Sequence, residues 1–277
     1  MVDNAMHSIN TPIEATHPTF GTDGIRGRAG TVLTPALALS LGYWSSQILP
    51  REGPILIGQD SRKSGSMVTA ALTAGLTSAG REVWELGLCP TPAVSKLIRK
   101  VEAAGGIMVS ASHNPPQDNG IKIFDQNGAK ITTQDQEILN SKLKKEHLGT
   151  ISESTFTCFG EMYNRNELLQ HYREGLLASV EDRRLEKIPI VLDLCWGSAT
   201  VFGAEVFQAL GAELTVINSK PDGHKINVNC GSTNLEQLRK TVINQGAEMG
   251  FAFDGDADRM IAVDRKGRVI DGDHILY

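Results

Sequence analysis

Short apolar runs separated by helical stretches set the rhythm of this chain. "GPILIG", Gly53 to Gly58, is a run of strand length. Beyond the polar "QDSRKSG", the residues Met67, Val68, Ala71, Leu72, Gly75, Leu76 and Ala79 recur on one helical face, and Gly80 closes the pattern. "REVWELG" reads as the next strand, "TPAVSKLIRKV" as a helix with Pro92 in its first turn, and "GGIMVSAS" and "GIKIF" as strands. "TTQDQEILNSKLKKEHLG" reads as a polar helix ending at Gly149. Strands separated by helices of this length build parallel βαβ units, which need helices on both sheet faces.

The rhythm loosens through "TISESTFTCFGEMYN" and then restarts. A helix is expected from about Asn166 to Val180. "IPIVLDLCWGSATVFGAEVFQALGAELTVIN" then repeats strand, polar loop, helix closed by Gly211, and strand, parallel to "PILIGQDSRKSGSMVTAALTAGLTSAGREVWEL" in pattern but not in identity. The last helix, "TNLEQLRKTVINQGA", leads into the strand "EMGFAF". The fold class is therefore α/β, with two three-layer α/β domains in tandem and mostly parallel mixed sheets. The expected boundaries are a flexible tail over 1–19, a first domain over 20–150, a linker over 151–165, a second domain over 166–265, and the start of a third over 266–277. The final "HILY" reads as the beginning of a helix.

Composition narrows the partners. Against 32 Asp and Glu stand 27 Lys and Arg, a net charge of -5, so no basic surface argues for nucleic acid or anionic lipid. No stretch is apolar for the roughly 18 residues a membrane helix needs, and the first residues lack the charge and apolar core of a secretory signal. A cytoplasmic protein with no membrane partner is expected. The four cysteines, Cys89, Cys158, Cys195 and Cys230, form no CxxC pair and read as reduced core thiols.

Three polar stretches carry candidate chemistry. Asp254, Asp256 and Asp258 alternate with Gly255 and Ala257 at the carboxyl end of an apolar strand, where open α/β sheets bind ligands. Carboxylates packed so closely repel one another, and a hard divalent cation holds such a set together. A calcium-binding EF-hand loop needs Gly at its sixth position and Glu at its twelfth, where this chain has Arg259 and Arg265. The plainer alternative is an acidic, solvated turn. In "VSASHNPPQDNGIKIF", Ser112 and His113 are neighbours whose side chains should point apart, which disfavours a hydrolase dyad, and no G-x-S-x-G elbow is present. Asn114 before two prolines also suits an ordinary turn. In "FGTDGIRGRAG" four glycines would let the backbone approach a ligand, and Arg26 and Arg28 offer planar donors for phosphate, though a solvated turn accounts for them as well. Lys122 lies between Ile121 and Ile123, on the opposite strand face, either reaching into a site or snorkelling from an edge strand.

Taken in this order, "FGTDGIRG", "SASHNP" and "DGDADR" resemble the phosphohexomutases, the family of phosphoglucomutase and phosphomannomutase. The likeness is strongest to the bacterial branch that acts on glucosamine phosphate, and it runs from Phe20 to the last residue. It implies that Ser112 carries the transferring phosphoryl group. It also implies that Asp254, Asp256 and Asp258 bind Mg2+ together with an oxygen of that phosphoserine. Lys122 beside His113 would handle protons, Arg26 would hold the transferring group, and Arg259 would bind substrate. The implied reaction interconverts glucosamine 6-phosphate and glucosamine 1-phosphate through a bisphosphate, as part of amino-sugar and cell-wall precursor synthesis. A phosphorylated hexose or hexosamine is thus the expected partner, with oligomeric state left open. Position 257 departs from the family's usual Gly, which matters only if the backbone there needs a positive φ. Because the family has four domains and this chain shows two and a stump, little activity is expected of it alone. Glucose or mannose phosphate as substrate, a phosphatase with Asp254 as nucleophile, and a non-catalytic module remain the alternatives.

Overall fold

The structure, a computed structural model, describes residues 19–21, 23–144, 158–181 and 183–276. The expected tail over 1–19, the helix end at Gly149 and the first part of the expected linker therefore fall mostly outside the described residues.

A first sheet contains β1 (Ile25–Arg28), β2 (Ile55–Gln59), β3 (Val83–Leu88), β4 (Gly105–Val109), β5 (Asp118–Phe124) and β6 (Met162–Asn164), in the order β1-β5-β4-β2-β3-β6. The strand faces alternate as their sequences require. Ile55, Ile57, Val83, Ile107, Val109, Ile121 and Ile123 pack against α1 (Pro35–Ile48), α2 (Gly65–Ser78) and α4 (Thr133–Lys144). Leu56, Leu86, Met108 and Phe124 face the other way, toward α3 (Thr91–Lys100) and α5 (Leu169–Ser179). This is the expected three-layer arrangement.

The second sheet follows the same plan. It contains β7 (Pro189–Asp193), β8 (Glu213–Ile217), β9 (Met249–Phe253), β10 (Met260–Asp264) and β11 (Val269–Ile270), in the order β11-β10-β9-β7-β8. Val191, Ala252 and Val263 pack on α7 (Glu236–Gln245), while Ile190 and Leu192 lie on the face of α6 (Gly203–Ala209). Within the sheets, β5-β4-β2-β3 and β10-β9-β7-β8 are the same topology. Two loops therefore occupy matching places: residues 110–117, between β4 and β5, and residues 254–259, between β9 and β10.

Both loops join antiparallel neighbours, because a connection that short cannot make a parallel crossover. Antiparallel ladders account for two of the four in the second sheet, so parallel pairing is less dominant there than expected. Two segments outside the expected domain bounds join the sheets. Met162–Asn164, read as linker, adds β6 to the first sheet beside β3. Val269–Ile270, read as the start of a third domain, pairs with β10 through a turn at Gly267, whose carbonyl accepts from Arg239 Nε at 2.7 Å. Only the five-residue α8 (Gly272–Leu276) lies beyond it among the described residues. Cys158 is exposed, unlike the other three cysteines, so it is not a core thiol.

Local chemistry sets the helix ends. Thr34 Oγ1 accepts from Leu37 N at 3.2 Å and Pro35 opens α1. Thr132 and Asp135 bond reciprocally ahead of α4, each backbone N–H donating to the other side chain at 3.2 Å. Gly246 ends α7 in the left-handed region at φ 62°. Where α1 crosses α2, a glycine from each helix replaces side-chain packing with backbone contact. A β-carbon on Gly75 would sit 2.1 Å from Leu39 O, and one on Gly42 2.3 Å from Leu72 O. Alanine gains about 1 kcal/mol over glycine inside a helix, but forcing two backbones apart costs about 1–3 kcal/mol, and a carbonyl cannot rotate aside. Gly75→Ala should therefore lower unfolding free energy by up to about 2 kcal/mol in urea titration; a variant more stable than the parent would show that the helices can separate freely.

Candidate active site

The hairpin after β4 folds around a left-handed residue. Ser112 has φ 53°, its N–H donates to Ser110 Oγ at 2.8 Å, and Ser110 Oγ donates to Asp60 Oδ2 at 2.7 Å. The left-handed turn also overturns one expectation. The His113 ring does not point away: its Nδ1 lies 3.3 Å from Ser112 Oγ. The serine hydroxyl makes its shorter bond elsewhere, donating to Asp254 Oδ2 at 2.6 Å across the gap between the two sheets.

The second hairpin supplies that acceptor. Asp254 and Asp256 are fully buried while Asp258 is partly exposed, and one carboxylate oxygen from each lies within 4.8 Å of the others. The loop is tightly constrained: Asp254 Oδ1 accepts from Arg259 N at 3.1 Å, and Ala257 N–H donates to Asp254 O at 3.1 Å. Ala257 sits at φ 54°. The departure from glycine is therefore a strained one, since a β-carbon in this region costs about 1–2 kcal/mol.

Lys122 is the charge that makes this burial tolerable. It projects from β5 on the side opposite Ile121 and Ile123, and β5 lies between β1 and β4. It is therefore an interior lysine, and the edge-strand alternative is excluded. Its Nζ donates to Asp256 Oδ2 at 2.5 Å and to Asp258 Oδ2 at 3.2 Å. Burial works against charging this amine, yet the two carboxylates outweigh it and hold its pKa above the ordinary lysine value. A lysine that takes up protons needs its pKa lowered toward neutrality, and the aspartates act in the opposite direction. Burial also opposes ionisation of Asp256, but Lys122 and Thr91 Oγ1, which donates at 2.5 Å, keep its carboxyl below the usual range. Asp254 has no such cation, so burial and the neighbouring Asp256 charge push it up.

The remaining residues rim this centre. Burial, Arg259 and Arg26 together lower the pKa of His113, which leaves its ring neutral near pH 7. Arg26 runs along β1 opposite Gly120, and its Nε is buried with no hydrogen-bond partner. Arg259 is exposed, with Nε 3.8 Å from Asp258 Oδ1. Two glycines of the first motif, Gly24 and Gly27, serve packing within the chain, while a β-carbon on Gly30 would meet nothing within 4 Å. A β-carbon on Gly24 would meet Ile121 O at 2.1 Å, so this residue permits β1 to approach β5.

The donor set fits a divalent cation. Three carboxylates converge against the Lys122 ammonium, Asp254 is raised by burial and by like charge, and Asp256 Oδ1 is buried without a partner. Oxygen-only ligands of this kind suit Mg2+ or another hard ion.

Residues 17–149 match the family model for phosphoglucomutase/phosphomannomutase, alpha/beta/alpha domain I, and residues 168–267 match the one for domain II. The chain belongs to the phosphoglucomutase/phosphomannomutase family. Among its relatives, the phosphoglucosamine mutase of Prochlorococcus marinus strain MIT 9313 is 62% identical over all 277 residues, which span 59% of that protein's length. That of Synechococcus sp. strain CC9311 is 62% identical over 259 residues, covering 94% of this chain and 56% of the relative. A crystal structure of a phosphoglucomutase/phosphomannomutase family protein from Burkholderia thailandensis superposes with TM-score 0.77 at 27% identity, covering 92% of this chain and 56% of that one.

Several residues around this candidate site escaped the sequence reading. Thr91, Asp60, Arg62 and Asn227 all bond to the two hairpins from other segments. "QDSRKSG" and "TPAVS" follow strand ends, and that was the available signal. Because Lys122 balances buried carboxylates, Lys122→Met should cost about 3–5 kcal/mol of stability, the usual penalty for stripping one partner from a buried ion pair. Urea unfolding tests this, and an unchanged midpoint would mean that the aspartates simply take up protons.

Proposed function

We propose that this chain carries the phosphoryl-transfer centre of a phosphohexomutase, with Ser112 as the residue that accepts and returns the phosphoryl group. The observation that carries the reading is the 2.6 Å bond from Ser112 Oγ to Asp254 Oδ2, which joins a buried serine to the aspartate triad across two sheets. The proposed domains are built on 20–150 and 166–265, with β6 added to the sheet of the first and β11 to that of the second, and each contributes one of the two hairpins. Glucosamine phosphate is the proposed substrate, and the relatives bearing the name phosphoglucosamine mutase support it. The proposed setting is the cytoplasm; among the described residues no helix is long and apolar enough to cross a membrane.

In this reading Asp254, Asp256 and Asp258, with an oxygen of phosphoserine 112, would hold Mg2+. The ion would supply charge neutralisation for a phosphoryl group that brings about -1.5 to -2 charges of its own. The chain's own residues do the rest. A sugar hydroxyl attacks phosphorus as the bond to Ser112 Oγ breaks, and its proton passes to a nearby base while the serine oxygen recovers one. His113, with a neutral ring 3.3 Å from Ser112 Oγ, would accept a proton, and Lys122, held charged beside Asp256 and Asp258, would donate one. The resulting bisphosphate turns over and returns its other phosphoryl group to Ser112, completing the isomerisation. Arg26, with a buried unpaired Nε, offers a donor to the phosphoryl oxygens, and the exposed Arg259 offers one to the sugar phosphate.

Incubation with glucosamine 1,6-bisphosphate and Mg2+, followed by phosphopeptide mapping, tests the reading. Acid-stable phosphate on Ser112 is expected, absent in Ser112→Ala and suppressed by chelation of the metal. Acid-labile phosphate on Asp254 would reassign the chemistry to an aspartate-nucleophile phosphatase, and no phosphate on either residue would leave a non-catalytic module.

A further inference from the structure

Two donors, the buried Arg62 and the half-buried Asn227, one beside each sheet, meet on the backbone of the serine hairpin. Arg62 follows β2, and its Nε is fixed by Asp60 Oδ2 at 2.9 Å. Its Nη2 donates to Ser112 O at 2.9 Å and Asn114 O at 2.8 Å. Nη1 donates to Asp118 O at 2.8 Å and also to Pro115 O. From the second sheet's side, Asn227 Nδ2 donates to the same two carbonyls, Ser112 O at 2.8 Å and Asn114 O at 3.0 Å. The amide is oriented by Cys195, whose buried thiol donates to Asn227 Oδ1 at 3.1 Å. Asn227 itself sits at φ 61°, a conformation that asparagine tolerates better than most residues.

We propose that Arg62 and Asn227 form a two-sided clamp that holds the serine hairpin in its left-handed turn and registers it against the aspartate loop. Arg62 acts within the first sheet's unit and sets the shape of the turn. Asn227 acts from the other unit and sets where the turn stands relative to Asp254. Both are positioning residues, since neither touches the reacting atoms. Their effect on phosphoryl transfer rests on the function proposed above; their effect on the hairpin does not. A misplacement of the nucleophile by about 1 Å can lower a rate by about a hundredfold without changing what binds. The clamp should therefore govern the rate at which Ser112 is phosphorylated, and leave the affinity for the phosphoryl donor unchanged.

Asn227→Asp is the sharper variant, because it keeps the shape, removes the donor and turns an acceptor toward two carbonyls. Asn227→Ala serves as its neutral partner. Two measurements on the full chain separate the possibilities. In the first, phosphorylation of Ser112 by glucosamine 1,6-bisphosphate with Mg2+ is followed against donor concentration. The expected result is a maximal rate at least tenfold lower in both variants, at an unchanged half-saturating concentration and with the same final extent. In the second, hydrogen exchange is measured by mass spectrometry on peptides covering 110–119. Exchange is expected to accelerate at least tenfold in that hairpin, with β2 and β3 unchanged. Wild-type loading with variants that load equally fast would overturn the clamp and leave the proposed function standing. If the wild-type chain takes no phosphate, the proposed function fails, and the exchange experiment decides the clamp by itself: unaltered protection of 110–119 overturns it. A variant whose exchange rises across both sheets would also overturn it, by showing a global rather than a local role.

Discussion

Burial of like charge is the constraint around which this molecule is arranged. Asp254 and Asp256 lie wholly inside, within 4.8 Å of a third carboxylate, and charges at such separations repel strongly in a medium of low polarisability. Among the described residues Lys122 is the single buried ammonium set against them, and it arrives from the other sheet. That one bond at 2.5 Å makes each half of the chain depend on the other. Without the second sheet Lys122 would be an interior cation with no partner; without the first, the aspartate loop would have no charge to close around. Apolar packing adds to the union, since Phe202 joins the cluster formed by α3, α5 and the far face of the first sheet.

The repeated topology explains how two loops from distant parts of the sequence come to share one site. In both sheets the first strand of the unit lies at the centre, with a parallel neighbour on each side and an antiparallel strand beyond one of them. Each central strand ends in a buried aspartate that accepts from the backbone N–H two residues on, Asp60 from Arg62 and Asp193 from Cys195, both at 2.9 Å. The residues that follow differ, and the difference divides the labour. After Asp60 comes Arg62, which grips the serine hairpin; after Asp193 comes Cys195, which orients Asn227 toward the same hairpin. The duplication thus provides two similar frames, and the side chains just beyond the strand ends turn one frame toward the other.

Much of this was legible in the sequence because periodicity reports burial. The alternation of Ile121, Lys122 and Ile123 placed the lysine on the opposite face from the isoleucines, and the small residues between Asp254 and Asp258 marked a tight turn after an apolar strand. What periodicity does not report is backbone handedness and long-range pairing. The neighbours Ser112 and His113 should diverge in an extended chain, but a left-handed serine folds the ring back. "MYN" carried no strand signal of its own and became β6 only because β3 offered an open edge. Nothing local to Asn227 says that it reaches a carbonyl 115 positions earlier in the chain. Thr91 was equally silent, since a threonine at a helix start ordinarily serves its own helix.

The sign of the charge at Lys122 shows how the site's parts constrain each other. A free lysine base would need its ammonium destabilised, and burial alone would do that. Here two carboxylates reverse the effect, so the amine stays charged for as long as those carboxylates have no other counter-charge. A phosphoryl group on Ser112 would add about -1.5 to -2 charges to a pocket already holding three carboxylates against one ammonium. Neither the triad nor a phosphoserine is comfortable in the other's presence without a cation, and each makes the cation bind more tightly. In the proposed function the aspartates would therefore couple three events that look separate: phosphate on Ser112, metal in the triad, and the freedom of Lys122 to leave its carboxylate partners. A site with fewer acids would bury more easily but would lose that coupling, which accounts for an arrangement whose cost is plain in the raised Asp254 and in the partnerless oxygen of Asp256.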